Sequence, residues 1–129
     1  MNLQIFEMTQ NPLENPIFNC EYEILELLGE GMAAEVFLCK QIKTGNLMAI
    51  KFLKQAATKA KTMERQLEFD QEHQMLQRLD HQGIVKVHES GDNGVVIGVN
   101  RRVFKKNISY LVMDYHPHEF FNYCVQHEA

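Results

Sequence analysis

The sequence has little of what would build a disulfide framework, a membrane span or a nucleic-acid-binding surface. Its three cysteines, Cys20, Cys39 and Cys124, are odd in number and widely separated, as expected of reduced thiols in a cytosolic or nuclear compartment. No apolar run approaches membrane-spanning length, and the N-terminus lacks the basic and apolar regions of a signal peptide. A net charge of −4 argues against the basic face of a nucleic-acid-binding protein. We therefore expect a cytoplasmic or nuclear protein with neither nucleic acid nor membrane as its partner.

Sequence patterns of several other functional classes are also absent. There is no H-E-x-x-H zinc motif, no G-x-S-x-G nucleophile elbow, no paired cysteine spacing and no internal repeat. We interpret His116 and His118 as part of a polar connector rather than as a metal site. The 129 residues, 45% of them hydrophobic, are enough for one domain with a modest core. Residues 1–19 contain two prolines and show no clear period, so we predict a flexible lead-in to a domain over residues 20–129.

The stretch over residues 22–53 predicts three strands joined by two tight connections. The first strand enters a loop that contains Gly29 and Gly31, Val36 begins the second strand, and the third strand carries Lys51 near its end. Glycines lack a Cβ, so the backbone of such a loop can come close to a ligand. Amide groups freed at the hairpin tip can point at phosphate oxygens, and a lysine on a neighbouring strand supplies a compact positive charge. The pattern therefore indicates a phosphate-binding loop.

After this stretch the pattern changes from strand-like to helical and back. From about residue 62, apolar residues recur at helical spacing, and Gly83 follows the last of them, where helices often end. The helix positions expected to face the core are Met63, Leu67, Met75, Leu76 and Leu79. Extended segments are predicted at 84–88, 95–99 and 108–114, with a turn at 91–94 and a second helix from about residue 119. One main helix on an antiparallel sheet is an α+β arrangement.

The stretch around the two glycines resembles the nucleotide-binding half, or N-lobe, of a eukaryotic-type protein kinase. The family's glycine-rich loop reads G-x-G-x-x-G-x-V, and this sequence has Gly29, Gly31 and Val36 in register. The family's third-strand V-A-I-K corresponds to Met-Ala-Ile-Lys at residues 48–51. Ala34 stands at the third glycine position, where a Cβ penalises positive φ. The resemblance runs from the first predicted strand to the C-terminus. It implies a five-stranded antiparallel sheet, one helix like the family's helix C, the start of the interlobe connector and a following helix.

The resemblance also implies how the phosphates of ATP are bound. In the family, a helix glutamate pairs with the third-strand lysine and fixes it against the α- and β-phosphates. Glu68 and Glu72 are four residues apart on one helix face, and the resemblance selects Glu72 as the partner of Lys51. The loop residues that it implies in nucleotide binding are Gly29, Glu30, Gly31, Met32, Ala33 and Ala34.

The rest of the nucleotide would be bound by apolar residues and by the connector. The residues that the resemblance implies around the adenine are Leu28, Val36, Ala49 and Met113, the last of them as gatekeeper. Backbone groups of Asp114 and His116 would meet the purine edge, and Glu119 matches an acidic position that meets the ribose.

Two motifs that phosphoryl transfer requires in this family are absent from the sequence. The H-R-D-x-x-x-x-N and D-F-G motifs orient the acceptor hydroxyl and hold Mg²⁺, and neither occurs here. We therefore expect the ATP-binding portion of a serine/threonine-type protein kinase, inactive by itself, with ATP, a protein substrate and the second lobe as partners. Two alternatives stay open: a stand-alone N-lobe module that binds protein partners, and an unrelated α+β protein. A fragment would expose an apolar patch formed by Met113, Val36, Ala49 and Leu76.

Overall fold

The computed structural model describes residues 15–31, 33–54, 58–80, 86–98 and 102–115, with the helix side chains described up to residue 71. Within these ranges the chain is rich in strands and has one helix, as the sequence predicts. In chain order the elements are β1 (Ile17–Phe18), β2 (Tyr22–Glu30), β3 (Ala34–Gln41), β4 (Leu47–Leu53), α1 (Lys59–Asp80), β5 (Val87–Ile97) and β6 (Val103–Asp114). The second helix, predicted from about residue 119, lies outside the described residues.

The strands form a closed antiparallel barrel in the order β1-β2-β3-β4-β6-β5. The prediction of a five-stranded sheet is therefore corrected by a sixth, two-residue strand that closes it. Ile17 of β1 pairs with Glu23 of β2 on one side and with Ile97 of β5 on the other. Strand β1 lies within residues 1–19, the segment predicted as a flexible lead-in, and the domain boundary at residue 20 stays a prediction. Residues 1–14 of that lead-in lie outside the described residues.

Strand β1 is anchored in the barrel by an aromatic side chain and by the residue that follows. Phe18 is fully buried, and its ring centroid lies 4.8 Å from those of Phe52 and Tyr110, both in edge-on arrangements. Asn19 exchanges two hydrogen bonds of 2.8 Å with Val95, since its backbone N–H donates to the Val95 carbonyl and its Oδ1 accepts from the Val95 N–H. Both contacts join residues that are far apart in the sequence, which explains why the sequence pattern did not predict this strand.

Successive residues of the central strands alternate between the two faces of the sheet, as strand geometry requires. In β4, Ile50 and Phe52 belong to a cluster inside the barrel, whereas Ala49 belongs to a separate cluster on the outer face. The inner cluster, here called the barrel core, contains Phe18, Tyr22, Ile24, Phe37, Cys39, Met48, Ile50, Phe52, Val96, Ile108, Tyr110 and Val112. The second, here called the outer cluster, contains Val36, Ala49, Phe69, Leu111 and Met113.

Helix α1 packs against the outer cluster through a different side than the sequence predicts. Thr58 caps its start, because its Oγ1 accepts a hydrogen bond of 3.1 Å from the Lys61 N–H. Phe69 is the buried contact with the sheet, whereas Met63 and Leu67 are 65% and 59% exposed. The expectation that these two face the core is wrong, because Leu67 and Met63, two and six positions before Phe69, lie about 160° and about 120° around the helix axis from it. The other predicted positions, Met75, Leu76 and Leu79, lie outside the described side chains.

The contact between α1 and the sheet also includes a polar pair. Ser109 Oγ on β6 lies 2.6 Å from Gln66 Oε1 and donates a hydrogen bond to it. Ser109 alternates with Ile108 and Tyr110 of the barrel core, so it stands on the outer face with the helix. Within the described residues, α1 is not long and apolar enough to cross a membrane.

The turn predicted at residues 91–94 is wrong, because these residues lie within the long strand β5. The β5–β6 pairing shifts register between Gly91 and Gly94, which marks an irregularity in the ladder. A Cβ on Gly91 would lie 2.9 Å from Tyr110 Cε1, and a Cβ on Gly94 would lie 2.6 Å from Phe18 Cε1. The two glycines therefore make room for aromatic rings of the barrel core rather than for a chain reversal.

Candidate functional site

The connection between β2 and β3 is the glycine loop, defined here as residues 29–34. Strand β2 ends at Glu30 and β3 begins at Ala34, and the Gly31 N–H donates a 2.9 Å hydrogen bond to the Ala34 carbonyl. Ala34 does not have the positive φ that would penalise its Cβ, so the missing third glycine introduces no backbone strain. Met32, at the centre of the loop, lies outside the described residues.

Gly29 leaves open space on the outer face of the sheet. It pairs directly with Val36 of the outer cluster, and cross-strand partners share a face. A Cβ built on Gly29 would meet no protein atom within 4 Å. Unlike Gly91 and Gly94, Gly29 is therefore not explained by the packing of the protein's own side chains. Close approach of another molecule to the backbone is one reason for such a glycine, and the register shift between Leu27 and Gly29 in the β2–β3 ladder is another.

Lys51 stands in the middle of the same outer face. Its ladder partners are Val36 on β3 and Leu111 on β6, two residues of the outer cluster. The residue is only 4% exposed. A lysine is rarely buried to this extent unless its charge has partners. The structure thus brings together, on one face of the sheet, the open space beside Gly29 on β2 and the buried Lys51 on β4, with β3 between them.

Helix α1 lies on this face as well, and it carries Glu68 and Glu72, the two carboxylates considered as partners of Lys51. Glu68 is exposed. Glu72 lies within α1, three residues after the buried Phe69, but its side chain is outside the described part of the helix. The predicted pair between Lys51 and Glu72 therefore stays a prediction.

The residues predicted to line the adenine slot come together in the outer cluster. Val36, Ala49 and Met113 are all fully buried, and Ala49 pairs directly with Met113. Leu28 and Tyr115, which are partly buried, pack against this cluster, together with Leu53 and Val87. The expectation of an exposed apolar patch is consequently wrong for its three described members, because these neighbours cover them. Its fourth member, Leu76, lies outside the described side chains.

The start of the predicted connector is fixed by contacts with β5 and the residue before it. The Asp114 N–H donates a 3.0 Å hydrogen bond to the Lys86 carbonyl, so this amide is already engaged within the sheet. The Asp114 carboxylate contacts His88 Nε2, an ion pair when the imidazole is protonated. This pair was not predicted from the sequence. His116 and Glu119, the other connector residues predicted to meet the nucleotide, lie outside the described residues.

A second lysine, which the sequence analysis also missed, contacts the glycine loop directly. Lys54 Nζ lies 2.8 Å from Glu30 Oε2 and donates a hydrogen bond of 2.8 Å to the Gly31 carbonyl. The Lys54 backbone N–H donates a further hydrogen bond, of 2.7 Å, to the Ala33 carbonyl. The available signal was its position three residues after Lys51, directly beyond the end of β4.

A buried carboxylate lies beside these contacts. Glu35, which pairs with Glu30 across β2 and β3, is only 3% exposed. Burial raises the pKa of the Glu35 carboxyl, the charge of Lys105 opposes this rise, Glu30 adds to it and Lys54 opposes it. At the end of the barrel next to the loop, the ionisation of Glu35 therefore depends on the charges of Glu30, Lys54 and Lys105.

The chain is similar in sequence to known proteins of one family. The chain matches the protein kinase domain over residues 22–129. Calcium-dependent protein kinase 4 of Plasmodium berghei (strain Anka) is 37% identical over 75 residues, which is 58% of this chain and 14% of that protein. Its counterpart in Plasmodium falciparum (isolate 3D7) is 36% identical over 75 residues, with the same shares. The matched part is thus a small fraction of these relatives' length. Since the domain match extends from strand β2, which leads into the glycine loop, to the last residue, the chain belongs to the protein kinase family.

Proposed function

We propose that this chain is the ATP-binding portion of a protein kinase that phosphorylates serine or threonine hydroxyls of proteins. The observation that carries the proposal is the shared face of Gly29 and Lys51. One offers a backbone with open space beside it, and the other is a buried cation in the same outer sheet surface. A polyanionic chain of phosphates fits such a surface, because it needs close backbone approach and positive charge together.

In the proposed complex, the glycine loop covers the phosphates of ATP and Lys51 contacts them. Glu72 would hold Lys51 in place from helix α1. The adenine would lie against Val36, Ala49 and Met113, and its entry would require Leu28 and Tyr115 to shift, since both pack against these buried residues. The proposed contacts with the purine edge are the Asp114 carbonyl and the backbone of His116, with Glu119 near the ribose.

Phosphoryl transfer itself is not assigned to these residues. The family uses ATP with Mg²⁺, but the H-R-D and D-F-G motifs that orient the acceptor and hold the metal are absent from the sequence. We therefore propose that this chain supplies nucleotide binding and that transfer needs the family's second lobe. Protein substrates are the proposed acceptors, and the cytoplasm is the proposed compartment.

Calorimetric titration of ATP into the 129-residue chain and its Lys51→Met variant tests the proposal. Loss of a charge-assisted contact is worth about 1.5–3 kcal/mol, so the variant should bind ATP roughly 10- to 150-fold more weakly. Lys40→Met is the matched control, because Lys40 is an exposed lysine with a 3.8 Å contact to Glu23, and it should leave the affinity unchanged.

Equal affinity in the parent and in Lys51→Met would remove Lys51 from this role. If a folded parent chain bound no ATP at all, the nucleotide-binding function would be wrong, and the stand-alone module that binds protein partners would be the better interpretation.

A further inference from the structure

We propose that Lys54 is a positioning residue that holds the glycine loop from the side opposite Lys51 and thereby sets the affinity for the phosphate groups of the nucleotide. This inference rests on the proposed function. It assigns to Lys54 no contact with the nucleotide itself.

Lys54 engages three groups of the glycine loop. The Lys54 ammonium bridges the Glu30 carboxylate and the Gly31 carbonyl, each at 2.8 Å. Its backbone N–H binds the Ala33 carbonyl at 2.7 Å. Three contacts from a single residue therefore fix both ends of the short connection between β2 and β3.

Lys54 contacts the loop from the face of the sheet opposite Lys51. Strand residues alternate between faces, so Lys54, three positions after Lys51, stands on the opposite side. The Lys54–Ala33 hydrogen bond continues the β3–β4 pairing one step beyond the Ala34–Leu53 pair, so this alternation still applies there. Lys54 is thus on the same face of the sheet as Phe52 of the barrel core, whereas Lys51 is on the same face as Ala49 of the outer cluster.

The orientation of the loop's peptide groups determines whether the loop can bind phosphate. Carbonyl oxygens repel phosphate oxygens, whereas amide N–H groups attract them. In a planar trans peptide the N–H points opposite to the preceding carbonyl. With the Ala33 carbonyl held by Lys54, the Ala34 N–H must point away from Lys54. The Lys54 ammonium therefore holds the Gly31 carbonyl toward the face opposite Lys51, whereas the Ala33–Lys54 hydrogen bond lies in the plane of the sheet as part of the β3–β4 ladder.

The ion pair with Glu30 distinguishes Lys54 from a lysine that binds phosphate directly. Its ammonium is already engaged by the Glu30 carboxylate, so much of its charge is compensated within the protein. The side chains of Lys54 and Glu30 are 27% and 50% exposed. Ion pairs this exposed contribute little to global stability, so removing the pair should change the loop without unfolding the barrel.

The test compares Lys54→Met with Lys54→Arg and with Lys40→Met as the matched surface control, all in the 129-residue chain. The first measurement is amide hydrogen exchange at Gly31, whose N–H donates to the Ala34 carbonyl inside the loop. We expect about five- to tenfold faster exchange in Lys54→Met, as for the loss of one hydrogen bond and one exposed ion pair. Exchange in Lys40→Met should equal that of the parent, and Lys54→Arg should retain most of the protection.

The second measurement compares the affinities for ATP and for adenosine. Lys54→Met should weaken ATP binding about five- to tenfold and leave adenosine binding unchanged, because only the loop that covers the phosphates is affected. Unchanged Gly31 exchange, or an equal loss for ATP and adenosine, would overturn the proposal. A parent chain that binds neither ATP nor adenosine would overturn the proposed function. Even then, faster Gly31 exchange in Lys54→Met would show that the contacts of Lys54 stabilise the conformation of the loop.

Discussion

The barrel core and the outer cluster are built by alternate residues of the same strands, yet their contents differ in kind. Inside the barrel, Phe18 meets Phe52 and Tyr110 edge-on, and all these rings are buried. The outer face instead has a buried lysine, Lys51, beside small and aliphatic residues. A close-packed aromatic interior contributes mainly stability, whereas a buried cation is costly and is retained where it has a task. The two faces should therefore respond differently to substitution.

The glycines show the same contrast. Gly91 and Gly94 of β5 lie against rings of the barrel core, so a side chain at either position would collide with the protein itself. Gly29 lies on the outer face, where an added Cβ would meet no protein atom. Gly91 and Gly94 are thus required by internal packing, whereas the space beside Gly29 is open to an external ligand. The predictions below test whether stability and nucleotide binding separate along this division.

The largest effect is expected for Phe18→Ala. Phe18 is fully buried at the seam where β1 closes the barrel, and truncation of a buried phenylalanine costs about 3–5 kcal/mol. Urea unfolding followed by circular dichroism measures this loss. Val103→Ala is the control, because Val103 is 59% exposed and its truncation should change the free energy of unfolding by no more than about 0.5 kcal/mol. A loss of less than about 1 kcal/mol for Phe18→Ala would mean that β1 does not close the core.

The sequence predicted the two strands on either side of the glycine loop and the strand that carries Lys51, because the signals there are local. Two-residue alternation, closely spaced glycines and a turn are each read within a few positions. Strand β1 escaped prediction because its two residues are ordered by β5, about 80 positions away along the chain.

The helix and β5 show how a correct element can be oriented or bounded wrongly. Met63 and Leu67 follow a helical apolar period but are exposed, while Phe69, the only aromatic residue of α1, is buried. The pattern of spacing alone does not say which side meets the sheet. At Gly91 and Gly94, glycine was interpreted as a turn, although here it accommodates rings from β1 and β6. Such tertiary contacts are not visible in a local sequence window.

A smaller, pH-dependent effect is expected for Glu35→Gln, at the end of the barrel beside the loop. Burial raises the pKa of the Glu35 carboxyl, so its ionisation opposes folding, and stability is lost as the pH rises through this pKa. Glutamine cannot ionise, so the variant should be more stable than the parent at pH 7, by less than Phe18→Ala loses. At pH 4 and below the difference should shrink, because Glu35 then takes up a proton.

Thermal unfolding of both proteins at pH 7 and pH 4 measures the effect of this substitution. Glu68→Gln is the control, since Glu68 is an exposed carboxylate on α1. A stability difference between Glu35→Gln and the parent that is equal at the two pH values would contradict the assignment of the effect to the buried charge.

Gly29→Ala is expected to have the smallest effect on stability and the clearest effect on binding. Gly29 has no positive φ and its Cβ would enter open space, so the free energy of unfolding should change by no more than about 0.5 kcal/mol. A nucleotide phosphate that approaches this backbone would, however, be crowded by the methyl group. Crowding in a packed site costs about 1–3 kcal/mol, so ATP should bind roughly 5- to 150-fold more weakly while adenosine is little affected.

Gly94→Ala provides the complementary measurement, because its Cβ would collide with Phe18 inside the barrel. If the two faces are functionally separate, this variant loses stability, whereas any variant molecules that remain folded bind ATP as the parent does. Loss of stability in Gly29→Ala, with unchanged ATP affinity, would mean that the outer face serves packing alone. The open side of Gly29 would then no longer support a nucleotide site.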